Sequence, residues 1–143
     1  DINPAAVALA TRNADRLALL PRVEVLEGDL FAPLPASALP LDVVCSNPPY
    51  VADAEWGGLP EVIQKHEDPG ALLAGLEGLD LIRRIAADAS TRLRPGGLLA
   101  FEIGDGQDAV VAQLLTGFGY SAVAFRKDLA GIPRIATALW EVP

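Results

Sequence analysis

The chain has 143 residues, of which 51% are hydrophobic and 21% are charged, and its formal net charge is −8. This composition is globular and excludes a disordered chain, and no apolar run reaches the length that spans a bilayer. The acidic balance argues against a nucleic-acid substrate held by this part alone, because phosphate contacts require a basic face. The single cysteine, Cys45, excludes an internal disulfide, and we predict no metal site. We expect a cytoplasmic protein with one hydrophobic core.

The first 40 residues predict one helix, one short strand and one loop. Residues 4–20 predict a helix, with Asn3 as its N-cap and Pro4 at the first helical position. Residues 23–26 predict a short strand. The next stretch, 31–40, holds three prolines and therefore predicts a loop.

The middle of the chain predicts a buried strand that ends abruptly. The nearly all-apolar run at 41–45 is typical of a strand buried on both faces, in which Cys45 is a small core residue. Asn47-Pro48-Pro49-Tyr50, hereafter the 47–50 loop, ends the strand because proline cannot donate to a ladder. A long connection follows over residues 51–75, with a helical turn predicted near 59–65, and connections of this length are usually functional or mobile.

The second half of the chain alternates helices with apolar strands. We predict helices at 78–93 and 107–117, a turn at 95–97, and strands at 98–103, 120–126 and 134–141. Buried strands that alternate with helices indicate an α/β fold with a mostly parallel, doubly wound sheet. The last two strands are joined by a short connection, which predicts an antiparallel pair at the C-terminal end.

The 47–50 loop lies where ligands bind in open α/β sheets, beyond the carboxyl end of a strand. An amide or aromatic amino nitrogen is a poor nucleophile because its lone pair is delocalised. The Asn47 side-chain oxygen and the Pro48 carbonyl can accept its two N–H bonds, which favours pyramidalisation and aims the lone pair at an incoming methyl group. Pro49 stiffens the loop, and Tyr50 offers a face to a planar group. The alternative is a buried turn in which Asn47 only caps local backbone.

Further segments accompany this loop in chain order. They are Asp1-Ile2-Asn3-Pro4, Gly28-Asp29-Leu30-Phe31, His66-Glu67-Asp68-Pro69, Arg94-Pro95-Gly96-Gly97, Glu102-Ile103-Gly104 with Gln107, and Asp128-Leu129-Ala130-Gly131 with Arg134. With the loop, they resemble the release factor glutamine methyltransferase family, the protein-(glutamine-N5) methyltransferases of the class I S-adenosylmethionine-dependent group. The resemblance covers nearly the whole chain, although Asp68 departs from the family pattern. The loop alone is shared with DNA adenine and RNA guanine methyltransferases, and the later segments favour the glutamine enzymes.

The resemblance implies a Rossmann-like fold, S-adenosyl-L-methionine as the cofactor, and a peptide chain release factor as the protein substrate. It implies that Asn47, Pro48, Pro49 and Tyr50 form the catalytic loop. Asn47, Pro48 and Tyr50 would contact the substrate, and Asn47 would also lie beside the cofactor.

The resemblance also implies a cofactor site near the start of the chain. Asp1 would accept hydrogen bonds from the ribose hydroxyls, since a carboxylate at a strand end suits a vicinal diol. Asp29 and the Leu30 backbone would meet the adenine. For the remaining polar candidates we expect loop, salt-bridge or surface roles; these are Glu67, Glu102, Arg134 and the single histidine, His66.

Several family features are not found in the sequence, so we expect residues 1–143 to be a partial methyltransferase domain. The Gly-rich cofactor loop, the first strands of the sheet and an N-terminal helical domain would lie outside it, and this fragment alone would bind the cofactor weakly and be inactive. Two other functions stay open. One is an adenine or guanine amino methyltransferase acting on nucleic acid, and the other is a non-catalytic relic of the fold. We expect no membrane partner and no nucleic-acid partner.

Overall fold

The computed structural model describes residues 1–141, which fall into two compact units. The first is Asp1–Leu39, and the second begins at Pro40. No helix among residues 1–141 combines the length and the apolar character that a membrane crossing requires.

The first unit contains one α-helix, α1, at Pro4–Arg16. The Asn3 side chain accepts a hydrogen bond from the Ala5 N–H at 2.9 Å, so the predicted N-cap is confirmed. The predicted end of the helix at residue 20 was wrong. Ala18 has a φ of 54°, and this left-handed backbone cannot continue a right-handed helix.

The strand predicted at 23–26 is not formed. The terminal nitrogen of Asp1 donates to the Leu26 carbonyl, and the Gly28 N–H donates to the Asp1 carbonyl, both at 3.0 Å. This is the pattern of a single parallel bridge. The prediction was wrong because a strand requires a pairing partner along its length, and in this unit only Asp1 pairs with the segment. The loop at 31–40 is confirmed, and it contains one short 3₁₀ helix, Ala36–Ala38.

The second unit is a four-stranded mixed sheet with helices. Its elements are β1 (Leu41–Ser46), α2 (Glu61–His66), α3 (Asp80–Ser90), β2 (Leu93–Glu102), α4 (Asp108–Gly117), β3 (Tyr120–Lys127) and β4 (Pro133–Trp140). The strand order is β1-β2-β4-β3. Among these four strands β1 pairs with β2 in parallel, and the other two pairs are antiparallel, so the sheet is mixed where the sequence predicted a mostly parallel one. The α/β class and the antiparallel C-terminal pair are confirmed.

The core of the second unit lies around β2 and α3. Alternate residues of β2 are buried, and Leu99 and Phe101 are almost completely inaccessible. The buried residues of α3 recur at helical spacing, at Ile82, Ile85, Ala86 and Ala89. The predicted helix start at residue 78 was wrong, because Gly78 has a φ of 68° and α3 begins two residues later.

Strand β1 lies at one edge of this sheet and is only half buried. Val44 is buried, whereas Val43 is 54% exposed and Cys45 is exposed. The prediction of a strand buried on both faces was therefore wrong, and so was the prediction that Cys45 is a core residue. The physical reason is that successive side chains of a strand point to opposite faces, and only the Val44 face of β1 is covered in this unit.

The turn predicted at 95–97 lies inside β2 as a bulge. The register passes from Leu41 opposite Leu93 to Val43 opposite Leu98, so β2 carries extra residues between the two pairs. Gly96 supplies the left-handed backbone that this bulge needs, with a φ of 72°.

Replacing Tyr120 by Phe removes one hydrogen bond from the core. The Tyr120 hydroxyl donates to the Ala86 carbonyl at 2.8 Å, and both residues are buried. We expect Tyr120→Phe to lower the free energy of unfolding by about 1 kcal/mol near neutral pH, as measured by urea denaturation.

The same pair of proteins gives a pH test. Burial raises the pKa of Tyr120, so above about pH 10 the hydroxyl ionises in the unfolded chain before it does so in the folded chain. The unfolded chain then binds fewer protons, and the stability of the wild type falls as the pH rises through this range. Tyr120→Phe lacks this loss, so the stability difference should shrink at alkaline pH. A difference that stays constant with pH would contradict the assignment.

Candidate active site

The 47–50 loop follows β1 directly, at the carboxyl end of the strand. Asn47 is exposed, Pro48 is buried, and Pro49 and Tyr50 are half-buried. The structure shows no hydrogen bond from the Asn47 side chain to any group within residues 1–141. The alternative in which Asn47 caps local backbone therefore has no hydrogen bond to support it in this range. The Asn47 amide is free to accept a ligand.

Tyr50 is fixed by a hydrogen bond between two strand ends. Its hydroxyl donates to Glu102 Oε1 at 2.9 Å, and Glu102 is the last residue of β2. Burial raises the pKa of Tyr50, the hydrogen bond and the charge of Glu102 raise it further, and the positive charge of Arg134 opposes them. The phenol therefore stays neutral at physiological pH, and it serves as a donor rather than as a base.

The segment that leaves the loop is also tied down. The Val51 N–H donates to the Leu72 carbonyl and the Ala74 N–H donates to the Val51 carbonyl, both at 2.9 Å. These bonds form an isolated parallel bridge between Val51 and Leu73. The long connection between them carries α2 and two 3₁₀ helices, Asp53–Gly58 and Pro69–Ala71. The helical turn predicted near 59–65 is confirmed as α2.

A cleft of about 760 Å³ opens beside Tyr50. Its walls come from the long connection, the segment before α3, the turn after β2 and the first turn of α4. They include Val51, Leu59, Glu77, Gly104 and Val110. Asn47 does not line it. The loop therefore borders the cleft through Tyr50, while the exposed Asn47 lies outside the cleft lining.

Arg134 and its neighbours organise the hairpin between β3 and β4. The Asp128 carboxylate accepts hydrogen bonds from the N–H groups of Ala130 and Ile132 at 2.8 and 3.0 Å, and Arg134 lies 3.3 Å from it. The Ile132 N–H, then the Arg134 side chain and the Ala130 N–H, lower the pKa of Asp128. The prediction of a salt-bridge role for Arg134 is confirmed.

The other polar candidates have structural or surface positions. Glu102 holds Tyr50, as described above. His66 and Glu67 are exposed at the end of α2, where Glu67 is the C-cap. The prediction that His66 is a surface histidine is confirmed.

The predicted cofactor residues divide between the units. Asp1, Asp29 and Leu30 belong to the first unit, and Asn47 belongs to the second. Within the first unit, the backbone bond from Gly28 to Asp1 brings the Asp1 and Asp29 segments together despite their separation in sequence. Asp1 Oδ1 accepts from the Asn3 N–H at 2.8 Å.

The sequence analysis missed the contacts that hold the Tyr50 backbone. The side chain of Gln107, just before α4, donates to the Tyr50 carbonyl at 3.0 Å. Gln107 belongs to a segment that carries the family resemblance, but nothing in the sequence assigned it a partner 57 positions away. No periodicity or spacing signal connects residues so distant.

The fold is that of a methyltransferase. No protein-family model matches the chain. A methyltransferase structure from Pyrococcus furiosus superposes with a TM-score of 0.70 at 19% identity, over 99% of this chain and 61% of that one. At this identity the likeness shows the fold alone, and it confirms the predicted α/β methyltransferase-like architecture.

Curated proteins of related sequence match nearly the whole chain. The chain is 43% identical over 142 residues to the release factor glutamine methyltransferase of Gloeobacter violaceus. The aligned region covers 98% of this chain and 49% of the relative. The chain is 40% identical over 138 residues to the enzyme of the same name from Cereibacter sphaeroides, covering 96% of this chain and 49% of the relative. The chain is thus homologous to the release factor glutamine methyltransferases, as its motifs predicted. It spans about half the length of these relatives.

The bond between Tyr50 and Glu102 can be tested by titration, because the chain has two tyrosines. In a Tyr120→Phe background Tyr50 is the remaining tyrosine of residues 1–143, and its ring NMR signal, assigned by its loss in Tyr50→Phe, reports its titration. Replacing Glu102 by Gln removes the carboxylate that raises the Tyr50 pKa, so we expect that pKa to fall. The exposed Glu24→Gln substitution serves as the control and should leave it unchanged. An unchanged Tyr50 titration in Glu102→Gln would show that the two side chains do not interact.

Proposed function

We propose that the protein containing this chain transfers a methyl group from S-adenosyl-L-methionine to the side-chain amide nitrogen of a glutamine in a peptide chain release factor. The observation that carries the proposal is the exposed Asn47 amide, without a hydrogen-bond partner in residues 1–141 and anchored by the buried Pro48. The homology to enzymes of this name supports the choice of substrate. The substrate, the cytoplasmic location and the assignment of residues 1–143 to part of a methyltransferase domain all belong to this proposal.

The loop would act by holding the glutamine amide rather than by deprotonating it. Asn47 Oδ1 accepts one N–H bond and the Pro48 carbonyl accepts the other, which stabilises the pyramidal geometry that the nitrogen adopts as its bond to carbon forms. Pro49 helps to hold the two acceptors in place. Because its φ is fixed, the loop loses little conformational entropy when the substrate binds. Tyr50 offers its ring to the flat amide. The alkylated nitrogen then releases its extra proton to solvent, so no strong base is required beforehand.

The residues of the first unit fit the proposed cofactor. S-adenosyl-L-methionine would supply an electrophilic methyl on a sulfonium, whose sulfur becomes a neutral thioether as the methyl leaves. Within residues 1–141, Asp1 Oδ2 and the Leu30 N–H take part in no hydrogen bond. A carboxylate oxygen suits the ribose diol, and a backbone N–H suits an adenine nitrogen. Asp29 is exposed beside them.

Asn47→Ala removes one of the two acceptors and should lower kcat on the order of 10²–10³-fold, the range seen when one electrostatic contact to a transition state is lost. Because Asn47 makes no structural hydrogen bond in residues 1–141, we expect the unfolding midpoint to stay near that of the wild type. The assay follows labelled methyl transfer from S-adenosylmethionine to a purified release factor by the product of the complete gene. Cofactor affinity is measured separately by calorimetry.

Two controls sharpen this assay. Gln113→Ala replaces an exposed amide on α4 and should keep wild-type turnover. A release factor whose target glutamine is replaced should accept no methyl, and duplex DNA or ribosomal RNA should accept none either. Wild-type turnover in Asn47→Ala would overturn the assigned role of the loop, and methylation of nucleic acid in place of the protein would overturn the substrate.

A further inference from the structure

We infer that Gln107 is a positioning residue, whose side-chain amide clamps the Tyr50 carbonyl and thereby fixes the 47–50 loop for methyl transfer. This inference rests on the proposed function for its catalytic consequence. The clamp itself rests on hydrogen bonds and packing within the second unit.

Both the nitrogen and the oxygen of the Gln107 side-chain amide make hydrogen bonds. Its Nε2 donates to the Tyr50 carbonyl at 3.0 Å, and the carbonyls of Gly78 and Glu77 lie at 3.3 and 3.4 Å. Its Oε1 accepts from the Gly104 N–H at 2.8 Å. Three carbonyls on one side and an N–H on the other fix the orientation of the amide. One side chain therefore joins the ends of β1 and β2 to the segment before α3.

Tyr50 is consequently held at two opposite points. Gln107 holds its backbone carbonyl, and Glu102 holds its hydroxyl. Two anchors on one residue leave little freedom for its backbone to rotate. The prolines before it have fixed φ angles, so the constraint passes along the chain to the acceptors on Asn47 and Pro48.

Two glycines leave room for the contacts between Gln107 and Tyr50. A Cβ at Gly78 would lie 2.3 Å from the Tyr50 carbonyl oxygen, a distance at which the loop must move. A Cβ at Gly104 would lie 3.1 Å from Gln107 Cδ and 3.3 Å from the Tyr50 ring. Gly78 therefore lies against the Tyr50 carbonyl, and Gly104 lies against the Gln107 amide and the Tyr50 ring, where an added side chain would be crowded.

Loss of the clamp should affect the chemical step more than substrate binding. A displacement of about 1 Å in a positioning group can cost on the order of 10²-fold in rate. We expect Gln107→Leu to lower kcat by about that factor, with the KM values for the release factor and the cofactor changed by less than about threefold. Gln113→Leu, on the exposed side of α4, is the matched control and should retain wild-type kcat.

Gln107→Glu adds a readout that a merely structural role would not give. An ionised carboxylate cannot donate to the Tyr50 carbonyl, and it would face the oxygens of Glu77 and Gly78. The cleft is also lined by Glu55, Glu77 and Asp105. Arg83 pairs with Glu77, so Glu55 and Asp105 are the acidic residues here that add unpaired negative charge and disfavour a further carboxylate. Once protonated, the variant's carboxyl can donate to Tyr50 while it accepts from the Gly104 N–H.

The ratio of kcat in Gln107→Glu to kcat in the wild type should therefore rise as the pH falls. The same ratio for Gln107→Leu and for Gln113→Glu should not change with pH. A flat ratio for Gln107→Glu, or equal losses in the Gln107 and Gln113 variants, would overturn the positioning role.

A pair of glycine variants tests the clamp from its other side. Gly78 and Gly96 both have left-handed backbone, with φ of 68° and 72°, but an added Cβ at Gly96 meets only Arg94 at 3.7 Å. Each Ala substitution costs about 1 kcal/mol or more in backbone strain. Only Gly78→Ala should also lower kcat, because only there does the methyl group displace the Tyr50 carbonyl. Equal kcat in the two variants would count against the clamp.

Failure of the clamp can be told from failure of the proposed function. If the wild type transfers no methyl to a release factor, the proposed function is overturned. The clamp is then decided by the Tyr50 titration in the Tyr120→Phe background, where Gln107→Leu should loosen the bond to Glu102 and lower the Tyr50 pKa. In that case an unchanged Tyr50 titration in Gln107→Leu would overturn the clamp. If the wild type does transfer methyl groups, wild-type kcat in Gln107→Leu would overturn it.

Discussion

The hydrogen bonds at the two ends of Tyr50 constrain the loop on which the proposed chemistry depends. Its hydroxyl meets Glu102 and its carbonyl meets Gln107, which are both more than 50 positions away in sequence. Each bond contributes modestly to stability: about 1 kcal/mol for the uncharged bond to Gln107, and about 1.5–3 kcal/mol for the bond to the Glu102 carboxylate. Their value lies in geometry, because two anchors and two prolines leave the loop little conformational freedom to lose when a substrate binds.

The parallel pairing of β1 with β2 makes these bonds possible. Carboxyl ends of parallel strands meet at the same edge of a sheet, and the last registered pair is Ser46 opposite Phe101. The next residues along the two strands are Asn47 and Glu102. The central strand therefore delivers the residue that holds Tyr50, and the turn that follows it delivers Gly104 and Gln107. The buried residues of β2 and α3 keep this edge in register.

Local chemistry in the sequence was sufficient for much of the fold. Asn3 and Pro4 marked the start of α1, the apolar run at 41–45 marked β1, and the proline pair marked where β1 ends. The errors came where partners decide the outcome. The 23–26 segment had strand composition but lacked a partner along its length in its unit. Cys45 lies in an apolar run, yet its exposure depends on what covers the face of an edge strand.

The candidate site shows the same division. The letters of the 47–50 loop predicted two oxygen acceptors at a strand end, and the structure places the loop there with the Asn47 side chain exposed. The contacts of Gln107 with Tyr50 and Gly78 could not be predicted, because they join three distant segments through backbone carbonyls that any residue type carries. Residue 78 was predicted to start a helix, and both its left-handed backbone and its close approach to the Tyr50 carbonyl are visible only in three dimensions.

The most direct measurement is a crystal structure of the complete protein with S-adenosylhomocysteine and a release-factor peptide that contains the target glutamine. The glutamine amide nitrogen should lie about 3 Å from both Asn47 Oδ1 and the Pro48 carbonyl oxygen. A well-ordered glutamine side chain bound elsewhere, with the Asn47 amide still facing solvent, would contradict the role assigned to this loop.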